Sequence, residues 1–166
     1  MAFEAYCKID GIDGESTDDK HQKWIEILSF DHGIDQPTSA TASSAGGGTI
    51  GQCDHRDYSI VKYIDMASPK LYELCSSGKH IAEVTLEFMR AAGDSKVKYM
   101  EVKMETVVVS SVHPGASKNA AGLPTEAVSF NYGSIKWVYT QQKRDDGGPG
   151  GNVTGGWDLV KGKAKA

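Results

Sequence analysis

Apolar and polar positions alternate along most of this chain, and the period shifts to that of a helix only once. Residues 3–9 place Phe3, Ala5, Cys7 and Ile9 on one side and Glu4, Tyr6 and Lys8 on the other, as in a half-buried strand. Ala82, Val84, Leu86 and Phe88 alternate with Glu83, Thr85 and Glu87, and Met100, Val102, Met104 and Val108 run opposite Glu101, Lys103 and Glu105. With the turn Ala92-Gly93-Asp94 between them, these two stretches predict an antiparallel hairpin with one solvated face. Residues 126–139 change phase: Val128, Phe130 and Tyr132 share one parity, Ile135, Trp137 and Tyr139 the other. A bulge at Gly133 would return both sets to one face.

The helical stretch is punctuated at both ends. Ser68-Pro69 reads as a start, with the Ser hydroxyl as cap and Pro at the first helical position. Gly78 reads as the stop, with Lys79 and His80 placed to donate to the last carbonyls. Leu71, Leu74 and Cys75 form one narrow apolar stripe, so a short helix over about residues 69–77 must lie on a sheet.

Three further stretches are less regular. Residues 24–30, WIEILSF, carry apolar groups in both phases and predict a strand covered on both faces, one toward the core and one toward a neighbouring chain. Residues 35–52, DQPTSATASSAGGGTIGQ, hold too little apolar content to order themselves, which fits either a mobile surface loop or a partner contact. A strand over residues 53–64 follows, and a Gly-rich loop, QQKRDDGGPGGNVTGG, precedes a short closing strand at 157–160. Six or more strands and one helix describe a mainly β fold, a small antiparallel barrel or a sandwich with the helix laid beside it.

Composition narrows the function classes. A chain of 166 residues with 39% hydrophobic content supports one core, and a single domain over 1–166 is expected. A net charge of -4 with scattered Lys and Arg argues against nucleic acid and anionic lipid as partners. The start MAFEAYCKID lacks a basic segment followed by an apolar run, so neither a secretory signal nor membrane insertion is expected. Cys7, Cys53 and Cys75 are odd in number and lack CxxC spacing, as expected of reduced packing thiols.

Candidate chemistry is sparse. Cys53 and His55 share a strand face, but two side chains do not close a tetrahedral metal site. Gly46-Gly47-Gly48 precedes a strand and not a helix, which does not suit a phosphate cradle. The acid pairs Glu83/Glu87 and Glu101/Glu105 sit on the solvated parity of their strands. The residues therefore point to no catalytic group, no cofactor and no metal.

Several stretches do resemble a known family. KIDGIDGES near the start, Lys62-Tyr63-Ile64-Asp65 with Ser68-Pro69 and CSSGKH around the helix, Val109-Ser110-Ser111-Val112, and Gly156-Trp157-Asp158 are similar to haemolysin-coregulated protein (Hcp), the tube protein of bacterial type VI secretion systems. The resemblance implies a small β-barrel with one flanking helix, assembled as a homo-hexamer into stacked rings. It implies spike and sheath components as partners, and small secreted effectors carried in the ring lumen. Synthesis in the cytoplasm would then be followed by secretion through the apparatus without a signal peptide.

The same resemblance places Ser29, Asp31 and His32 at the lumen wall, where the family more often has a small polar residue and an aromatic in place of Asp31 and His32. It makes Trp24, Ile25, Pro37, Thr38, Thr49 and Gln52 subunit or ring interface candidates. The rival reading is a monomeric β-barrel that binds a small ligand, with an enzyme as a third.

Overall fold

The structure, a computed structural model, describes residues 3–38, 51–116 and 122–166. In chain order its elements are β1 (Glu4–Ile9), β2 (Ile25–Ile27), β3 (Ser29–Asp31), β4 (Ile34–Asp35), β5 (Asp54–His55), β6 (Tyr58–Tyr63), α1 (Ser68–Ser77), β7 (Ile81–Ala92), β8 (Ser95–Gly115), β9 (Thr125–Gln142), β10 (Pro149–Asp158) and β11 (Lys163–Ala164). No helix among the described residues is long and apolar enough to cross a membrane.

Every pairing is antiparallel, and the pairings form a circuit. β1 lies between β2 and β7, β7 pairs with β8, β8 with β9, and the first part of β9 with β6, whose other edge takes β3. Only Leu28 separates β2 from β3, and its amide donates to the Val61 carbonyl at 2.8 Å. Residues 25–31 thus join the first and last strands of the sheet. The second part of β9 instead pairs with β10, and β10 with β11.

The expected single strand over 24–30 is therefore two strands with different surroundings. Ile25 and Ile27 are buried and Glu26 is exposed, whereas Ser29, Phe30 and Asp31 are all exposed. The mixed phase of WIEILSF reflects this change of pairing partner at Leu28. Residues 53–64 likewise divide into β5 and β6, with β4 and β5 forming a separate two-stranded flap. The expected Gly-rich loop is mostly strand, since β10 starts at Pro149 and pairs with β9 through backbone groups that need no side chain.

The core is filled from alternate positions of the long strands, including Cys7, Ile9, Ile60, Val84, Leu86, Met104, Val128, Phe130 and Ile135. Past Glu105 the buried parity in β8 changes, so Val107 and Val109 are buried in place of the expected Val108. β9 changes parity at the same level, but the β8–β9 register does not slip there: Glu105 pairs with Ser134 and Val107 with Tyr132. The one-sided bulge expected at Gly133 is instead a matched kink. Thr106 takes a left-handed φ of 54°, and a Cβ at Gly133 would stand 3.1 Å from the Thr106 Cβ. The β8–β9 register shift lies farther along, between Val109 and Ser111.

The helix docks by its predicted stripe, with Leu71 fully buried and Leu74 and Cys75 packed against the core. Gly78 ends it at φ 66°, donating its N–H to the Leu74 carbonyl. The start differs from expectation. Ala67 is the cap residue without a side-chain bond, and the Ser68 Oγ accepts from the Asp65 amide and donates to Glu126 Oε1 at 2.6 Å. At the other end no basic side chain lies in the last turn; the Lys79 amide donates to Ser77 Oγ.

Glu126 belongs to a buried cluster that ties the helix to the barrel. Lys62 on β6 is fully buried, ion-paired with Glu126 and, at 2.9 Å, with Asp65. It also donates to the Tyr63 carbonyl and to Ser68 Oγ, while Tyr72 Oη donates to Glu126 Oε2. Burial pushes the Glu126 carboxyl up, but bonds from Lys62, Ser68 and Tyr72 outweigh it and hold its pKa below the ordinary value.

Candidate functional site

Register decides which polar side chains share a face, because residues directly opposite in an antiparallel pair point the same way. Asp31 lies opposite Ser59, Ser59 opposite Ser129, and Ser129 opposite Ser111. The neighbouring row on the same face is Ser29, Val61, Ala127 and His113. Asp57 continues the face, accepting from Ser110 Oγ at 2.6 Å and from Asn131 Nδ2 at 3.0 Å. Ser59 and Ser129 hydroxyls meet at 2.7 Å. The intervening positions Ile60 and Val128 face the core and are fully buried. Four strands thus present a wall of small and polar side chains with acidic groups at Asp31 and Asp57.

His32 does not belong to that wall. Its ring lies 4.8 Å from the Tyr58 ring at 26°, and Nε2 is 2.8 Å from the Tyr132 hydroxyl. The same hydroxyl is 2.9 Å from Nδ1 of His55. His32 immediately follows β3 and His55 ends β5, so both histidines stand where the flap leaves the barrel, and Tyr132 of β9 brackets them. Burial, followed by the neighbouring His55, lowers the pKa of His32 against the opposing pull of Asp31 and a backbone bond to Arg56. Burial also lowers that of His55 and raises that of the Tyr132 phenol, so all three groups are held neutral.

The flap carries the remaining candidates. Pro37, Thr38 and Gln52 are exposed at its far end, where the Gly51 amide donates to the Pro37 carbonyl at 3.1 Å. Thr49 lies outside the described residues.

These surfaces and the closed circuit of strands can be set beside known proteins. Residues 6–139 match the family model described as type VI secretion system effector, Hcp. The chain belongs to the Hcp family. Protein hcp1 of Pseudomonas aeruginosa is 36% identical over 159 residues, covering 96% of each chain. A solved structure described as a type six secretion system protein superposes with a TM-score of 0.91 at 34% identity, over 99% of this chain and 100% of that one. Hcp1 from Salmonella typhimurium gives 0.78 at 32% identity, over 99% and 100%.

Hcp proteins are secreted tube proteins of the type VI system, and that membership gives the expected residues their context. Of the three expected at the lumen wall, the structure keeps Ser29 and Asp31 on one face and turns His32 inward. Of the interface candidates, Ile25 is corrected: it is fully buried and pairs with Cys7 of β1. Trp24 is half-buried against the edge of the His21 ring at 4.8 Å. Ser59 and Ser129 were not singled out from sequence, and Ser111 stood there only within the Val109-Ser110-Ser111-Val112 stretch and not as a wall residue; the alternation of Ala127, Ser129 and Asn131 with Val128 and Phe130 is the signal that could have found the β9 part of the wall.

The motif KIDGIDGES acquires a reason as well. A Cβ at Gly14 would run into the Trp24 carbonyl and the Ile25 Cα, so glycine permits residues 14–16 to run close beside Lys23–Ile25, where the Gly14 amide donates to the Lys23 carbonyl at 2.7 Å and the Ser16 amide to the Trp24 carbonyl at 3.0 Å. The acid pairs of β7 and β8 face one another, Glu83 opposite Glu105 and Glu87 opposite Glu101. Lysines stand beside them: Lys98 bonds both Glu87 and Glu101, Lys103 lies 3.9 Å from Glu83, and Lys165 bonds Glu105.

Proposed function

We propose that this chain is a subunit of the type VI secretion inner tube, forming hexameric rings that stack, leave the cell through the apparatus and carry small effectors in their lumen. The observation that supports it most is the row Asp31, Ser59, Ser129 and Ser111, beside a core that takes the large apolar groups of the same strands. A lumen wall needs such chemistry: short side chains leave the bore open, and hydroxyls and carboxylates present groups that exchange readily with water. In this reading Ser29 and Asp31 are lumen contacts, Trp24, Pro37, Thr38 and Gln52 meet neighbouring subunits or rings, and sheath and spike components are partners. No step of the role requires catalysis, a cofactor or a signal peptide.

Electron microscopy with native mass measurement tests this. The purified chain should form closed six-membered rings, and Ser129→Trp should leave the rings intact while obstructing cargo retention. A strictly monomeric chain at micromolar concentration would refute the ring reading, and undiminished cargo retention by Ser129→Trp would remove this wall from the lumen.

A further inference from the structure

His21 is a buried titratable side chain that belongs neither to the polar wall, nor to the flap, nor to the cluster under the helix. It lies between β1 and β2, only 1% exposed, with its ring stacked on Tyr6 of β1 at 4.3 Å and 7° and set perpendicular to Trp24 at 4.8 Å. Nδ1 is 2.7 Å from Asp18 Oδ2, and Nε2 is 2.7 Å from Glu87 Oε2 on β7.

Both partners are carboxylates, and their surroundings settle the sense of the two bonds. Lys98 lies 3.3 Å from the other oxygen of Glu87 and is shared with Glu101. Lys96 lies 3.6 Å from the other oxygen of Asp18 and is shared with Glu4. The bond from His21 holds the Asp18 carboxyl below its ordinary pKa against the effect of burial, with the Lys20 amide as a further donor to Oδ2. Burial and Asp18 raise the pKa of the Tyr6 phenol, so that ring stays neutral. A carboxylate that faces a lysine has no proton to give, so each nitrogen of His21 must donate. An imidazole donates from both nitrogens only as the cation, and the stacked Tyr6 face suits a cation as well.

We propose that His21 is a buried imidazolium that latches residues 13–24 onto β1 and β7, and that loss of its second proton opens the latch. A neutral ring keeps one N–H, so its other nitrogen would turn a lone pair on a carboxylate oxygen at contact distance, and lifting of the segment relieves that clash. Backbone bonds do not oppose the lifting. Among the described residues those of 13–24 run within the segment, from the His21 amide to Asp18, from Lys23 to Ser16 and from Trp24 to His21, which leaves its fastening to β7 to side chains. The latch is independent of whether the chain forms rings.

The test is NMR on the full chain labelled with heavy nitrogen in histidine and tryptophan, in solution or by magic-angle spinning for assembled rings, with His21 assigned from its contacts to Tyr6 and Trp24. At pH 7 both ring nitrogens of His21 should resonate as protonated. Raising the pH should convert the ring to a neutral tautomer, and the Trp24 indole signal should shift in the same transition. Glu87→Gln, which keeps an acceptor but removes its charge, should bring the conversion to lower pH and carry the Trp24 shift with it. In His21→Gln the Trp24 signal should stay fixed over that range. A bare ring nitrogen at pH 7 overturns the proposal, as does a ring that gives up its second proton without moving Trp24 or only when the whole chain unfolds.

Discussion

Two polar clusters fasten accessory elements to the same barrel by opposite means. The Lys62 cluster holds α1 with full charges out of water, and each is matched: Lys62 meets Glu126, Asp65, Ser68 and a backbone carbonyl. The bracket at His32, Tyr132 and His55 holds the flap with neutral groups that share a single hydroxyl. The first is costly to break by halves, because one partner left behind is an unpaired buried charge. The second can lose one member and leave only a neutral donor or acceptor unmet.

The largest effect should therefore come from Lys62→Met or Glu126→Leu alone, each losing about 3 to 5 kcal/mol in urea unfolding. The double variant should recover part of that loss, because it removes Lys62 and Glu126 together and leaves only the nearly buried Asp65, still accepting from the Ala67 amide, without its cation. A double variant as unstable as the singles would mean that packing, not charge matching, holds α1. Tyr132→Phe should cost less, about 1 to 3 kcal/mol, and the loss should be local. Amide exchange should quicken at Ile34–Asp35 and Asp54–His55 while β7 and β8 keep their protection.

Acid should separate the two clusters without any substitution. Burial holds His32 and His55 below the ordinary 6.5, so the folded chain binds fewer protons there than the unfolded one. Their stabilisation is complete above that value and fades as pH falls below it, opposed in part by Asp31 and Asp54. Glu126 lies below its ordinary 4.5, so its contribution persists until the pH drops under that value. Exchange measured from pH 7 to pH 4 should show the flap loosening before the helix, and simultaneous release would contradict the comparison. The smallest effect is chemical. Burial pushes the Cys7 thiol up to about 12, so a maleimide at pH 7 should spare it and label Cys53 and Cys75, which are half-buried.

The ionic cluster was partly legible in the sequence. Lys62, Asp65, Ser68 and Pro69 fall within one short stretch and mark the helix entrance. Its burial was not legible, because the decisive partner, Glu126, lies 64 residues away and reads locally as a surface acid. The bracket was less visible still: His32, His55 and Tyr132 are scattered, and nothing local distinguishes His32 from the exposed Asp31 before it. Alternation placed the long hairpin and the helix stripe because Val84, Leu86, Phe88, Val102, Met104 and Leu71 are buried where it expected them, although Ala82 is exposed and Met100, Leu74 and Cys75 are half-buried. It misplaced Val108 and Gly133 because the kink at Thr106 changes faces in both strands at once, which a single strand's pattern does not reveal. It missed β10 because Gly-rich pairing leaves no side-chain period to read.

The circuit of strands has one thin join. Three residue pairs attach β2 to β1, and three attach β3 to β6, whereas β8 and β9 zip together over most of their length. A barrel under mechanical load parts where the fewest bonds share the force, so residues 25–31 form its seam. Should the chain ever be forced open during transit through a narrow machine, that seam would yield first and expose Ile60 and Phe88 to the next chain. A disulfide stitched across the Phe30–Ile60 pair would close that route.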